Sequence, residues 1–215
     1  HKWVLSFDLN SLYPHLIMQY NISPETLVDK TVDLGKNPID DLVNKKTGLD
    51  SFKGTNYALT PNGAMFRKDK QGFLAKMMQD MYDDRTIYKK KMLDAKQKYE
   101  DTKDPKYLKD ISRFNNIQMA RKISLNSAYG AIGNEWFRYY ELMIAEGITT
   151  SGQLSIRWIE RKLNEYINNV LKTKDKDYVI ASDTDSVYIR FDEIVSHVFK
   201  GCTDTQRIVN FLDKI

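Results

Sequence analysis

The chain opens on a near-continuous apolar run, KWVLSFDL, of the kind that forms a buried strand, and the run ends at Asp8. NSLYPHLIMQYNISPETL follows, with Pro14 near a turn or helix start and Ser23-Pro24 as a second stop. Residues 30–72 are the least regular part. Their KNPIDD and TPNGAMFRKDKQG stretches carry turn chemistry, and Asn62-Gly63 predicts small hairpins. From about Leu74 the pattern becomes helical. LAKMMQDMYDDRTIYKKKMLDAKQKYED contains no Gly or Pro and predicts one long helix, punctuated by Asp104-Pro105. A second helix is expected from about Pro105 to Gly130, with Gly130 and Gly133 as its natural endings. Two long helices joined by a short polar tip make an αα-hairpin that projects from a body.

GITTSGQLSIRWIERKLNEYINNVL predicts a further helix, with Ile156, Ile159, Leu163, Ile167 and Val170 facing a core. DYVIAS and SVYIRF read as strands on either side of Asp183-Thr184-Asp185. The order strand, loops, helical hairpin, helix, β-hairpin, helix predicts an α+β fold. No internal repeat or low-complexity tract is present.

Composition narrows the class. The 215 residues are 41% hydrophobic and 12% aromatic, enough for one large or two small domains with a sizeable core. No apolar run approaches a membrane span and the first residues do not form a signal pattern, so no membrane role and a cytoplasmic location are expected. The single cysteine, Cys202, excludes an intramolecular disulfide and a cysteine-based zinc cluster, and suits a reducing compartment. Net charge is +4, but residues 76–122 hold thirteen Lys and Arg against eight Asp and Glu. A basic block beside acid-bearing segments suits a site for a polyanion and its metals; a solvated helical face accounts for the same excess. The chain starts without Met in strand-like sequence and stops inside TQRIVNFLDKI, an amphipathic pattern in progress, and so reads as a segment of a larger protein.

Asp183 and Asp185 are the first chemical signal. Side chains at i and i+2 of an extended segment point the same way, and two close carboxylates repel unless a cation, proton or base intervenes. An Asx-type turn explains the pair without chemistry. A metal site needs a third acid, and Asp8 can provide it if the first strand lies antiparallel beside the 178–191 hairpin. Such a set suits two Mg²⁺ ions about 4 Å apart, clamping a displacement at phosphorus. On the helical hairpin, Tyr82, Arg85 and Lys89 share one face, and Lys122, Asn126 and Tyr129 repeat the spacing. The two faces make a basic cradle for a triphosphate; ordinary surface for the cations, and core or capping for Asn126 and Tyr129, is the plainer reading.

These residues carry a resemblance. FDLNSLYPHLI resembles the first polymerase motif of family B DNA polymerases, DxxSLYPSII; KISLNSAYG resembles the second, Kx3NSxYG; SDTDS resembles the third, YGDTDS. NISPETL and NEWFRYYELMIAEGITTSGQLSIRWIERKLNEY are similar to the tailed-bacteriophage branch. The resemblance covers nearly the whole chain, apart from 30–72 and the hairpin tip.

It implies a palm, an antiparallel sheet backed by helices, at 1–73 and 134–215, with helical-hairpin fingers inserted at 74–133. On this resemblance an exonuclease and a thumb are expected to be absent from this chain. It implies Asp8 and Asp185 as main metal ligands, with Asp183 in the cluster and the Leu9 backbone beside them. Ser11, Leu12 and Tyr13, with Arg85, Lys89, Lys122 and Asn126, would bind the nucleotide, and Tyr129 and Gly130 would lie against the nascent base pair. Tyr13 resembles the family's steric gate against a 2′-hydroxyl. The cofactor implied is Mg²⁺, two ions, with Mn²⁺ as substitute. The partners implied are primer-template DNA, dNTPs and, through regions outside these residues, a sliding clamp; the location is the host cytoplasm for a phage-encoded protein.

Two departures stand out: Ala181-Ser182 where the family has Tyr-Gly, and His15 where Ser is common. Three functions remain open. The first is template-directed DNA synthesis by two-metal catalysis. The second is a nucleotide- or DNA-binding module without turnover, and the third a two-metal phosphodiesterase.

Overall fold

The computed structural model describes residues 2–201 and 204–215, so His1, Cys202 and Thr203 lie outside the described residues. The chain divides into two compact units, 1–10 with 152–215, and 11–151. Both are α+β.

The first unit is built on a three-stranded antiparallel sheet. It contains β1 (Val4–Asp8), β5 (Val179–Asp183) and β6 (Ser186–Arg190), in the order β1-β6-β5. The strand expected at the start of the chain does pair antiparallel with the later hairpin, Val4 opposite Arg190 through to Asp8 opposite Ser186. It is not buried on both faces. Leu5 and Phe7 pack on the core, while Val4, Ser6 and Asp8 point to the open side, leaving Val4 42% exposed. Strand alternation requires this once only one face of the sheet is covered. The covered face joins Val179, Val187 and Ile189 to Ile156, Ile167, Tyr178, Phe191 and Val195. Asp192, at the start of α6 (Asp192–Val198), accepts the main-chain N–H groups of Lys2 and Trp3, each at 2.9 Å, and so anchors the leading end of β1. Helix α7 (Thr205–Leu212) adds Ile208 and Leu212 to the same core.

Helix α5 (Leu142–Leu171) begins five residues before the expected Gly147 and supplies apolar residues to both cores, Ile144 and Ile148 to one, Ile156 and Ile167 to the other. Val170 departs from expectation and is 54% exposed. The chain after α5 folds back over the side of the helix bearing Asn164 and Asn168. The Asn164 amide oxygen accepts the N–H groups of Tyr178 and Val179, and the Asn168 amide donates to the Lys176 carbonyl. Leu171, on that side, packs inward in place of Val170.

In the second unit, α1 (Leu12–Tyr20) leads into a small sheet of order β2-β4-β3, from β2 (Leu27–Thr31), β3 (Tyr57–Leu59) and β4 (Ala64–Arg67). A short helix α2 (Pro38–Val43) and a 3₁₀ turn at Asp50–Phe52 interrupt the segment that showed no period. The expected hairpin forms at Asn62-Gly63, where Gly63 holds φ 85° and its carbonyl accepts from Val32 at 2.9 Å. The long helical hairpin is present as α3 (Phe73–Thr102) and α4 (Lys106–Ile132). Gly130 does not end α4 but lies within it; Gly133 is the C-cap. The core gathers Ile17 and Ile22 with Phe66, Leu74, Met78 and Leu125. Among the described residues, no helix is long and apolar enough to cross a membrane.

Candidate functional site

In the first unit the β5–β6 hairpin closes through Thr184-Asp185, with Asp183 opposite Ser186. Thr184 takes φ 34°, the positive value that a two-residue hairpin turn of the II′ kind asks of its first central residue. Asp183 and Asp185 are therefore not i and i+2 of one extended strand: Asp183 ends β5 and Asp185 is the second central residue of the turn. A different pair shares a face. Ser186 stands opposite Asp8 on one side and Asp183 on the other, and directly opposed residues of an antiparallel sheet project to the same side. Both acids are exposed, on the open side of the sheet. Asp185 is half-buried, and its carbonyl accepts the Leu9 N–H at 2.7 Å, which draws the turn against the end of β1. The Leu9 side chain packs into the core behind.

Turn chemistry is present as well: the Thr184 hydroxyl donates to the Asp183 carboxylate at 3.0 Å and the Ser186 hydroxyl to the Asp183 carbonyl at 3.3 Å. Ser182, where the resembled motif has Gly, lies in β5 without positive φ, so the hairpin closes with a side chain there.

The donors are all hard oxygens, which suits Mg²⁺. Among the described residues no three His, Cys, Asp or Glu side chains gather closely enough to hold a metal ion by themselves. The expected cluster of Asp8, Asp183 and Asp185 is therefore not gathered in this structure; Mg²⁺ is usually held by one or two carboxylates completed by water and substrate phosphates.

In the second unit the start of α1 and the helical hairpin meet through four predicted site residues, Ser11, Tyr13, Arg85 and Tyr129, and through His15 and Tyr82. The Arg85 guanidinium donates to the Ser11 hydroxyl at 3.0 Å. Tyr13 and Tyr129 pack ring to ring, centroids 4.7 Å apart. His15 sets its ring edge-on against Tyr82 at 4.6 Å, with Nδ1 2.9 Å from the Ser11 carbonyl oxygen. Ser11 itself has φ 57°, a left-handed conformation uncommon for a residue with a side chain. Leu12 opens α1 and is half-buried. Lys89, Lys122, Asn126 and Gly130 are exposed on the hairpin. Arg121 of α4 pairs with Asp84 of α3 at 2.9 Å, an interhelical tie no local pattern announces.

A second group is not visible in the sequence. Asn21, Ser23 and Glu25, just after α1, accept hydrogen bonds from the main chain at the start of α3, roughly fifty residues on. NISPETL stands out in the sequence only as a resemblance; nothing in its spacing says that its side chains cap a distant helix.

The chain belongs to DNA polymerase family B, whose family model matches residues 1–212. It is 35% identical to the DNA-directed DNA polymerase of Escherichia phage RB69 over the whole of this chain, and 33% identical to that of Enterobacteria phage T4 over 99% of it. The chain spans only 28% of the length of each of these relatives. The family B DNA polymerase of the archaeon Pyrobaculum calidifontis shares the fold, with a TM-score of 0.55 over 95% of this chain and 22% of that one, at 24% identity.

Proposed function

We propose that this chain carries the nucleotidyl-transfer centre of a DNA-directed DNA polymerase. It would add a deoxynucleotide from a dNTP to a primer 3′-hydroxyl, in the order dictated by a template. The primer oxygen forms a bond to the α-phosphorus, the α–β phosphoanhydride bond breaks, and pyrophosphate leaves. The observation that carries the reading is the pair Asp8 and Asp183 on the open face either side of Ser186, with the Asp185 turn tied to Leu9.

In this reading, residues 1–73 and 134–215 are palm and 74–133 fingers. Asp8 and Asp185 hold the metal, with Asp183 and the Leu9 backbone beside them. Two Mg²⁺ ions bound there supply charge stabilisation to the attacking and leaving oxygens, and Mn²⁺ substitutes. Arg85, Lys89 and Lys122 neutralise the triphosphate, Arg85 as a planar fork and the lysines as point charges. The Ser11 hydroxyl and the backbone to Leu12 orient the phosphates, and Asn126 supports the helix face. Tyr13 offers its ring to the sugar, and Tyr129 and Gly130 lie against the nascent base pair. Partners are primer-template DNA and dNTPs, with a sliding clamp engaged through other parts of a full-length protein, inside a host cell.

The test is single-nucleotide extension of a primed DNA template with Mg²⁺, this chain against its Asp8→Asn, Asp185→Asn double variant. Templated addition by the first and none by the second is expected. The opposite outcome is a binding module without turnover. Folded protein that binds dNTP yet adds nothing to the primer would select it.

A further inference from the structure

We propose that the Asn21–Glu25 segment is the seat that sets the angle of the α3–α4 hairpin, with Glu25 as positioning residue for the triphosphate-binding cations the hairpin carries. The inference rests on the reading given above for Arg85 and Lys89.

A helix leaves its first four N–H groups without intrahelical partners. Helix α3 has Gly72 as N-cap, which offers no side chain to satisfy them. The partners come from far away in the chain. Asn21 accepts the Gly72 N–H at 2.8 Å, Glu25 accepts the Phe73 N–H at 2.6 Å, and Ser23 accepts the Leu74 N–H at 3.3 Å. The Ser23 hydroxyl also donates to the second Glu25 oxygen at 2.5 Å, so that both carboxylate oxygens are engaged. A carboxylate at this end also meets the positive pole of a 30-residue helix. Burial pushes the Glu25 carboxyl upward, but the Ser23 hydroxyl, the Phe73 N–H and the Lys70 charge hold it below the usual carboxylate range.

The seat is itself fixed. Asn21 is buried, takes φ 55° as C-cap of α1, and donates its amide to the carbonyls of Arg67 and Lys70 at 2.6 and 2.9 Å. Arg67 in turn donates to the Glu25 carbonyl at 2.6 Å. The end of α1, the end of β4 and the start of α3 are thereby one hydrogen-bonded knot. It has no slack: a Cβ on Gly72 would lie 2.5 Å from the Ser23 Cβ. The exit of α4 leans on the same place, because Tyr139 packs on the Phe73 ring with centroids 5.0 Å apart.

Leverage makes this matter. At 1.5 Å per residue, Arg85 lies about 18 Å and Lys89 about 24 Å up the helix from Phe73. A tilt of about 5° at the root would carry Arg85 through about 1.5 Å, and misplacement by about 1 Å can cost a hundredfold in rate. Changes in the seat are therefore carried up the helix toward the phosphate-binding groups, against the Ser11–Arg85 and His15–Tyr82 contacts that brace it.

Two measurements on Glu25→Ala and Glu25→Gln test the proposal. In steady-state single-nucleotide incorporation, Glu25→Ala should raise the dNTP KM about tenfold, and Glu25→Gln, which keeps an acceptor for the Phe73 N–H, should restore most of it. A merely structural role would lower the melting temperature and the active fraction, leaving KM of the folded fraction unchanged; that result overturns the proposal. The second measurement needs no turnover. Spin labels on cysteines placed at the exposed Lys30 and Lys96, in a Cys202→Ser background, report the hairpin's angle to the small sheet of its own unit. A broader or shifted distance distribution in Glu25→Ala is expected, and an unchanged one overturns the proposal. A chain that adds no nucleotide but shows the distance change would sink the functional reading and leave the seat standing.

Discussion

Arg85 and Ser11, 74 residues apart in the chain, meet through a guanidinium-to-hydroxyl hydrogen bond of 3.0 Å. The contact aligns a planar fork that Lys cannot reproduce. Arg85→Lys should therefore raise the dNTP KM at least tenfold, about 1.4 kcal/mol, although charge is retained. Ser11→Ala, which leaves the guanidinium in place but unsteered, should cost less. Incorporation kinetics at varied dNTP concentration decide the order of the two.

Tyr13 packs against Tyr129, the ring centroids 4.7 Å apart and the planes 52° to one another. Tyr13→Ala is expected to admit ribonucleotides while retaining deoxynucleotide addition. Loss of the ring pair should also cost about 1 kcal/mol of stability. The check is a competition between ATP and dATP opposite template T; undiminished sugar discrimination would remove Tyr13 from the role.

Gly63 combines φ 85° with a close approach, since a Cβ there would lie 2.2 Å from the Val32 carbonyl oxygen. Gly63→Ala should destabilise by at least about 2 kcal/mol, strain plus clash. Gly54 is the internal control: it has φ 75°, but a Cβ there would meet nothing within 4 Å, so Gly54→Ala should cost only the backbone term, about 1 kcal/mol. Urea unfolding of both variants tests the difference.

The Glu193 carboxyl is held below its usual range, chiefly by Lys176 at 2.5 Å; partial burial opposes this, and Tyr178 and Arg190 assist. A depressed folded-state pKa means that the contribution is present at neutral pH, above the unfolded pKa. It is lost as pH falls through the folded one. Because the pair is partly exposed, about 1 kcal/mol is its upper range. The melting-temperature gap between the chain and Glu193→Gln should be largest near pH 7, shrink steadily in the acid range and narrow with added salt.

Much of the fold is legible in the residues themselves. The 28 residues from Leu74 to Asp101, free of Gly and Pro, announce α3, and Asp104-Pro105 its end, because helix periodicity and breakers are local properties. The strands flanking Asp183-Thr184-Asp185 are legible for the same reason, whereas their pairing with the strand that ends at Asp8, at the other end of the chain, enters the sequence reading only as a condition for bringing the acids together. Val170 is misplaced by its spacing because a helical period defines a face but not how far the packing partner extends along it. The hydrogen bonds of Asn21, Ser23 and Glu25 are invisible in the sequence, since they join side chains to main-chain groups 48 to 51 residues away. In the candidate site the acids can be picked out, but their shared face arises across strands through Ser186 rather than along one strand.

That cross-strand arrangement makes alignment of the acids hostage to the packing beneath them. Residues along β1 and β6 alternate between the open side and the core. A slip of one residue would turn Asp8 inward and push Leu5 and Phe7 into water, burying an unpaired charge at a cost of several kcal/mol. Between β1 and β6 the register runs without a break from Val4 to Asp8, whereas β5 shifts register between Val179 and Ala181 before it brings Asp183 opposite Ser186. The relative placement of Asp8 and Ser186 on the open side is thus set by Phe7, Val187 and Ile189 on the covered one.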